Sequence, residues 1–164
     1  MHMLICDDDA RFAARVEQLV RACLGQREIP AEIVVCTSGE EALAVPDLEL
    51  YQVALLDVDL DTMNGISLGR QLRERSPEIC LIYISAYLEF ALEGYTVNAY
   101  RYLLKRDIAR TLPKCLDDLL AALTDQLPGG ALPRKDRPQP QSADHPAEPH
   151  QHRAALRQHL LPGK

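Results

Sequence analysis

Five side chains in this sequence could hold or receive a phosphoryl group, and each closely follows a short apolar run. Asp7 and Asp8 follow Met3-Leu4-Ile5-Cys6, Asp57 follows Val53-Ala54-Leu55-Leu56, Ser85 follows Ile79 to Ile84, and Lys105 follows Tyr100 to Leu104. Neighbouring carboxylates can coordinate a hard cation such as Mg²⁺, which also limits their mutual repulsion. A carboxylate is itself a nucleophile able to form an aspartyl-phosphate. A serine hydroxyl can donate to one phosphoryl oxygen, and an ammonium can meet another. Singly, each feature has a plainer reading: Asp7-Asp8-Asp9 as a solvated turn and N-cap, Asp57 to Asp61 as an acidic loop. Jointly they supply the parts of one reaction.

The elements that must position them alternate in type. The four apolar runs above and Ile33-Val34-Val35-Cys36 read as five strands. Phe12, Val16, Leu19, Val20 and Cys23 recur at helical spacing, and Gly25 ends that helix. Ser38 with Glu41 reads as a capping box opening a short helix through Leu43. Further helices are expected from Asn64 to Arg75, around Leu88 to Glu93, and from Ile108 to Leu123. Five strands alternating with five helices argue for a doubly wound α/β fold, and near-continuous apolar strands for a parallel sheet covered on both faces. Such sheets bind ligands beyond the carboxyl ends of their strands, which is where the five side chains stand.

Composition narrows the function classes. Apolar residues make up 47% and charged residues 26% of 164 residues, as in a globular protein. No apolar run approaches the roughly 18 residues that a membrane span needs. The first residues lack a basic n-region, so a cytosolic protein with no membrane partner is expected. The five cysteines form no CxxC pair and read as small buried hydrophobes. Residues 1–127 carry 12 Lys and Arg against 21 Asp and Glu, a net of −9, which disfavours direct nucleic-acid binding. From Pro128 onward the chain holds 7 of the 11 prolines, 4 of the 5 histidines and no aromatic residue. Residues 127–164 are therefore expected to be a disordered Pro- and His-rich tail behind a folded unit of residues 1–126.

The segments carrying these residues resemble the receiver domain of two-component response regulators, from about Met3 to Leu123. The resemblance lies in Leu4-Ile5-Cys6-Asp7-Asp8-Asp9, Leu55-Leu56-Asp57-Val58-Asp59, Met63-Asn64-Gly65-Ile66, Ile84-Ser85-Ala86-Tyr87 and Tyr102-Leu103-Leu104-Lys105. The stretch from Ile84 to Lys105 looks most like receivers attached to LytTR-type DNA-binding domains. The resemblance implies a five-stranded sheet of order 2-1-3-4-5 and a phosphoryl group passed from a histidine kinase to Asp57. It implies Mg²⁺ at Asp7, Asp8, Asp57 and the backbone carbonyl of Asp59. Lys105 would pair with the phosphoryl group, Ser85 would sense it, and Tyr102 would change packing in response. A protein-binding face, for another protein or for a second copy in a homodimer, would lie on the fourth helix, fifth strand and last helix.

Two positions depart from the family pattern. Asp61 stands where receivers commonly have proline, adding charge to the site rim. Arg106 follows Lys105 where the family usually has a cis-proline. A cis bond without proline costs roughly 2.5–4 kcal/mol, so a trans peptide is expected. The residues after Leu127 carry no strand pattern and no helix-turn-helix, so the chain reads as a stand-alone or truncated regulator without a DNA-binding output domain. Leu55-Leu56-Asp57-Val58-Asp59 also looks like the nucleophile motif of haloacid dehalogenase-type phosphatases. That family places the motif on its first strand, whereas Asp57 here follows two βα units. A third reading, a phosphorylation-independent binding module, follows from Arg106.

Overall fold

The computed structural model describes residues 1–91 and 97–125. In chain order they form β1 (His2–Cys6), α1 (Ala10–Gly25), β2 (Glu32–Cys36), α2 (Gly39–Leu43), β3 (Val53–Asp57), α3 (Gly65–Arg75), β4 (Cys80–Ser85), β5 (Arg101–Leu104) and α4 (Ile108–Asp125). Short 3-10 turns occupy Leu48–Leu50, Leu88–Phe90 and Lys105–Asp107. Within the expected Leu88 to Glu93 helix, the described part is the 3-10 turn followed by Ala91. Residues 92–96 and the proposed 127–164 tail lie outside the described residues.

The strands form one parallel sheet, as the apolar pattern implies, in the order β2-β1-β3-β4-β5 that the family resemblance implies. The chain leaves β1 toward β2 on one side and β3 on the other, so the order reverses between β1 and β3. Register aligns Cys6 with Leu56, Asp57 with Ile84, and Ser85 with Leu104. The carboxyl ends of four strands therefore finish nearly level.

Alternate strand residues serve two cores because successive side chains point to opposite faces. Met3, Ile5, Val53, Leu55, Ile82 and Ile84 pack with α1 and α4 through Val16, Val20, Leu112, Leu116 and Leu119. Leu4, Cys6, Ala54, Leu56, Leu81 and Tyr83 pack on the other face with Ala42 of α2 and Ile66, Leu68 and Leu72 of α3. Each large apolar side chain so buried contributes roughly 1.5–3 kcal/mol relative to exposure. β3 and β4 are buried along their whole length, whereas β2, at the edge, is half-open to solvent. All five cysteines are free and buried, in agreement with their reading as small hydrophobes.

Local chemistry sets the helix starts. The Asp9 carboxylate accepts from the backbone N–H groups of Arg11 and Phe12, and Asn64 Oδ1 accepts from Ile66 N at 2.7 Å. Ser38 Oγ accepts from Glu41 N, while the Glu41 carboxylate reaches back to Thr37 N at 2.8 Å, one residue beyond the usual capping-box partner.

Gly69 of α3 is set by a close approach. A Cβ there would stand 2.0 Å from the hydroxyl of Tyr83, a fully buried ring on β4. That hydroxyl has no hydrogen-bond partner among the described residues. Gly69→Ala is expected to lower unfolding stability by about 1–3 kcal/mol in urea melts. Adding Tyr83→Phe removes both the clashing atom and an unsatisfied polar group, and should recover part of that loss. Strict additivity of the two changes would contradict this packing account.

Candidate functional site

Asp7 stands one residue beyond β1 and Asp57 ends β3, so the reversal of strand order places two carboxylates side by side. Both are almost fully buried, at 3% and 4% exposure. Lys105, one residue beyond β5, sends its ammonium across the end of β4 to lie between them. Its Nζ is 2.8 Å from Asp7 Oδ2 and 2.9 Å from Asp57 Oδ2. The second oxygen of each acid is held by the main chain: Asp9 N donates to Asp7 Oδ1 at 2.8 Å, and Asp59 N donates to Asp57 Oδ1 at 3.1 Å.

The loop after β3 keeps Asp57 in place. Gly65 N donates to Val58 O at 2.8 Å, and Asp59 and Asn64 form an antiparallel bridge across the loop. A Cβ at Gly65 would meet the Asp57 carbonyl oxygen at 1.9 Å, so this α3 residue must be glycine for the loop to close so tightly.

One ammonium does not neutralise this cluster. The carboxylate oxygens of Asp7, Asp8 and Asp57 lie within 4.8 Å of one another. Burial, with repulsion from Asp7, pushes the Asp57 carboxyl up from 3.8 to about 6 despite the Lys105 hydrogen bond. Burial likewise raises Asp7, and Lys105 is the main opposing influence. For Lys105, burial acts downward, but its hydrogen bonds to Asp7 and Asp57 outweigh it and raise the ammonium. Three acids against one base leave an excess of two negative charges, two of the acids being buried. An all-oxygen donor set with that excess fits a small hard dication, and Asp7, Asp8 and Asp57 are the residues that would hold it. Asp61 meets this group from the rim, where a hydrogen bond shared with Asp8 and the charge of Asp8 push its carboxyl up. Asp59 contributes its backbone N–H, while its side chain is exposed.

Ser85 and Tyr102 converge on one residue. Ser85, fully buried, accepts at Oγ from Tyr87 N at 3.1 Å, and the Tyr102 hydroxyl donates to the Tyr87 carbonyl. Tyr102 is half-buried beside Tyr83, its register partner on β4. The Lys105–Arg106 peptide is trans, as expected, and Lys105 opens the 3-10 turn that leads into α4.

The side chains of Asp7, Asp8, Asp57, Ser85 and Lys105 thus stand at one sheet edge, Tyr102 links to it through Tyr87, and Asp59, expected there through its backbone carbonyl, lies on the adjoining loop. Sequence reading missed two neighbours. The Phe12 ring faces the Lys105 ammonium at 4.6 Å, and Tyr87 joins Ser85 to Tyr102. Phe12 is read from spacing as a core position of α1, and no short motif marks it otherwise.

Residues 3–117 match the family model of the response regulator receiver domain. The chain belongs to that family. This receiver is 34% identical over 142 residues to the positive alginate biosynthesis regulatory protein of Pseudomonas aeruginosa, covering 82% of this chain and 56% of that protein. It is 28% identical over 132 residues to accessory gene regulator protein A of Staphylococcus aureus, covering 76% and 54% respectively. The chain spans about half the length of the curated relatives it matches. The response regulatory domain of mrkE from Klebsiella pneumoniae shares the receiver's fold, with a TM-score of 0.67 at 20% identity over 77% of this chain and all of that one. The response regulator TrrA of Thermotoga maritima, solved in complex with Mg²⁺ and BeF, has a TM-score of 0.56 at 20% identity over 71% of this chain and 96% of that one. No described helix of the receiver is long and apolar enough to cross a membrane.

The raised Asp57 has a measurable consequence. Because the folded state holds this proton more tightly than the unfolded state, the stability it contributes is complete below 3.8 and is lost as pH rises through about 6. Asp57→Asn cannot ionise and escapes that loss. In EDTA, the variant's stability relative to the native protein should therefore rise across this pH window, by on the order of 1–3 kcal/mol. Adding Mg²⁺ should stabilise the native protein more than the variant and narrow the gap. Thermal melts at several pH values, with and without Mg²⁺, check both signs.

Proposed function

We propose that this receiver is the phosphoacceptor of a two-component system, taking a phosphoryl group from a histidine kinase onto Asp57. The observation that carries the reading is the Lys105 ammonium shared between two buried carboxylates, with the third acid of the cluster alongside. In the transfer, an Asp57 carboxylate oxygen forms a bond to phosphorus while the bond from phosphorus to the kinase imidazole nitrogen breaks. The imidazole leaves with that electron pair, and three phosphoryl oxygens then need partners. Lys105 turns from the carboxylate that has become an acyl phosphate to one phosphoryl oxygen. The Ser85 hydroxyl, whose oxygen accepts from Tyr87 N, can rotate its proton toward another. Asp7, Asp8, Asp57 and the Asp59 carbonyl would hold Mg²⁺, which supplies charge neutralisation for the incoming group. The raised Asp57 carboxyl supports this reading, since a cation at the cluster favours the ionised, nucleophilic form.

The output is a protein-binding surface. Motion of Ser85 toward the phosphoryl group would break its bond with Tyr87 N, and Tyr87 is also the acceptor for Tyr102. One residue is thus tied at its N–H to the phosphoryl sensor and at its carbonyl to the aromatic on β5. Tyr87 and Leu88 are exposed beside it, where a change of packing would be read by a partner. The surface comprises the segment after β4, β5 and α4, and its reader is another protein or a second copy of this chain. The acidic body makes direct nucleic-acid contact by these residues unfavourable, and the role is regulatory rather than that of a turnover enzyme. The Ile84 to Lys105 stretch and the relatives named as regulators support a place among LytTR-type regulators. The phosphatase alternative is disfavoured by the receiver family match and by the place of Asp57 on β3.

Two experiments test this reading. Incubation with acetyl phosphate and Mg²⁺ should add the mass of one phosphoryl group, with none added in EDTA or in Asp57→Asn. Steady release of phosphate from a phosphomonoester would favour the phosphatase instead. Addition of beryllofluoride should shift the amide resonances of Tyr87 and of Arg101 to Leu103 as well as those around Asp57. Sedimentation under the same conditions reports whether a second copy binds. Shifts confined to the Asp57 loop, with no change in association, would count against a switch.

A further inference from the structure

The trans peptide after Lys105 leaves open what aims that side chain, and the acids alone do not answer it. Both carboxylates that hold its ammonium change partner in the proposed reaction: Asp57 becomes an acyl phosphate, and Asp7 is a ligand of the incoming cation. A partner that keeps its charge distribution through both events must lie outside the acid cluster.

We propose that Phe12 is that partner, a positioning residue that holds the Lys105 ammonium over the site by the face of its ring. The inference rests on the reading of Asp57 as phosphoacceptor. Lys105 Nζ stands 4.6 Å from the Phe12 ring centroid, inside the range in which a cation is drawn to the negative face of a ring. The Lys105 side chain is half-buried, at 21% exposure, so the attraction is less screened than at an open surface. The ring offers no hydrogen-bond acceptor of its own, so it leaves Lys105's donors free for carboxylate or phosphoryl oxygens.

Phe12's place is tied to the acids through the chain itself. Asp9 N donates to Asp7 Oδ1, while Asp9 Oδ1 accepts from Phe12 N at 3.2 Å. One capped first turn of α1 therefore sets the buried acid and the ring together. Behind the ring, Phe12 packs against the core shared by α1 and α4, which limits its freedom to swing away.

The test separates ring electronics from packing. In the full chain, Phe12→Leu keeps an apolar side chain but loses the π face. A trifluorinated phenylalanine at this position keeps the shape and drains the negative face. Both should slow phosphorylation by acetyl phosphate with Mg²⁺ by roughly 2- to 30-fold, and Phe12→Tyr should recover most of the rate. The Lys105 side-chain protons should show a ring-current shift in the native protein that Phe12→Leu abolishes, whether or not phosphate is present. Equal rates for the native, leucine and fluorinated proteins would overturn the proposal and leave Asp57's role intact. A native protein that takes no phosphoryl group would overturn the reading of Asp57 and this proposal with it. If Phe12→Leu fails to fold, the fluorinated protein alone decides.

Discussion

The constraint on which the rest depends is the burial of Asp7 and Asp57 against one shared ammonium. Two carboxylates out of water at the carboxyl ends of adjacent strands repel one another and favour their neutral forms. Lys105 offsets this only in part, since burial still pushes the Asp57 carboxyl up to about 6. The folded chain thus holds a concentrated negative charge that the hydrophobic cores on both sheet faces must sustain. An added hard cation would relieve that excess.

The surrounding elements hold that charge in place. Gly65 lets the start of α3 press against the Asp57 carbonyl, and backbone N–H groups of Asp9 and Asp59 hold the outer oxygens of the two acids. These contacts are local and stiff. Ser85 and Tyr102 are different, because both depend on the main chain of Tyr87, beside which Leu88 is exposed. The side of the site toward β1 and β3 is thus held by contacts to the acids themselves, and the side toward β4 and β5 by contacts through the main chain of Tyr87.

Much of the fold was legible because apolar periodicity reports burial directly. Five short apolar runs gave five strands, and the helices of the described residues follow their apolar spacing to within a few residues at their ends. The strand-end acids, serine and lysine were legible for the same reason, since parallel sheets expose their carboxyl ends to one common edge. Phe12 and Tyr87 were not. Phe12 obeys helical spacing like any core residue, and nothing in a linear pattern says that its ring faces a cation 93 positions along the chain. Tyr87 acts through backbone atoms, which every residue possesses.

By itself the sequence determined which residues are apolar and at what period, and hence the strands, most helices and the edge at which chemistry would gather. It also determined the excess of acid over base at that edge. Only the tertiary structure decided how that excess is shared: that Lys105 bridges Asp7 and Asp57, that the Phe12 ring faces the same ammonium, and that Ser85 and Tyr102 meet through Tyr87. The reason is physical. Periodicity is a property of neighbours along the chain, where burial of a face can be read from spacing alone. Pairing of charges and hydrogen bonds depends on distances of a few ångströms between segments far apart in sequence, and those are fixed only when both cores have closed on the sheet.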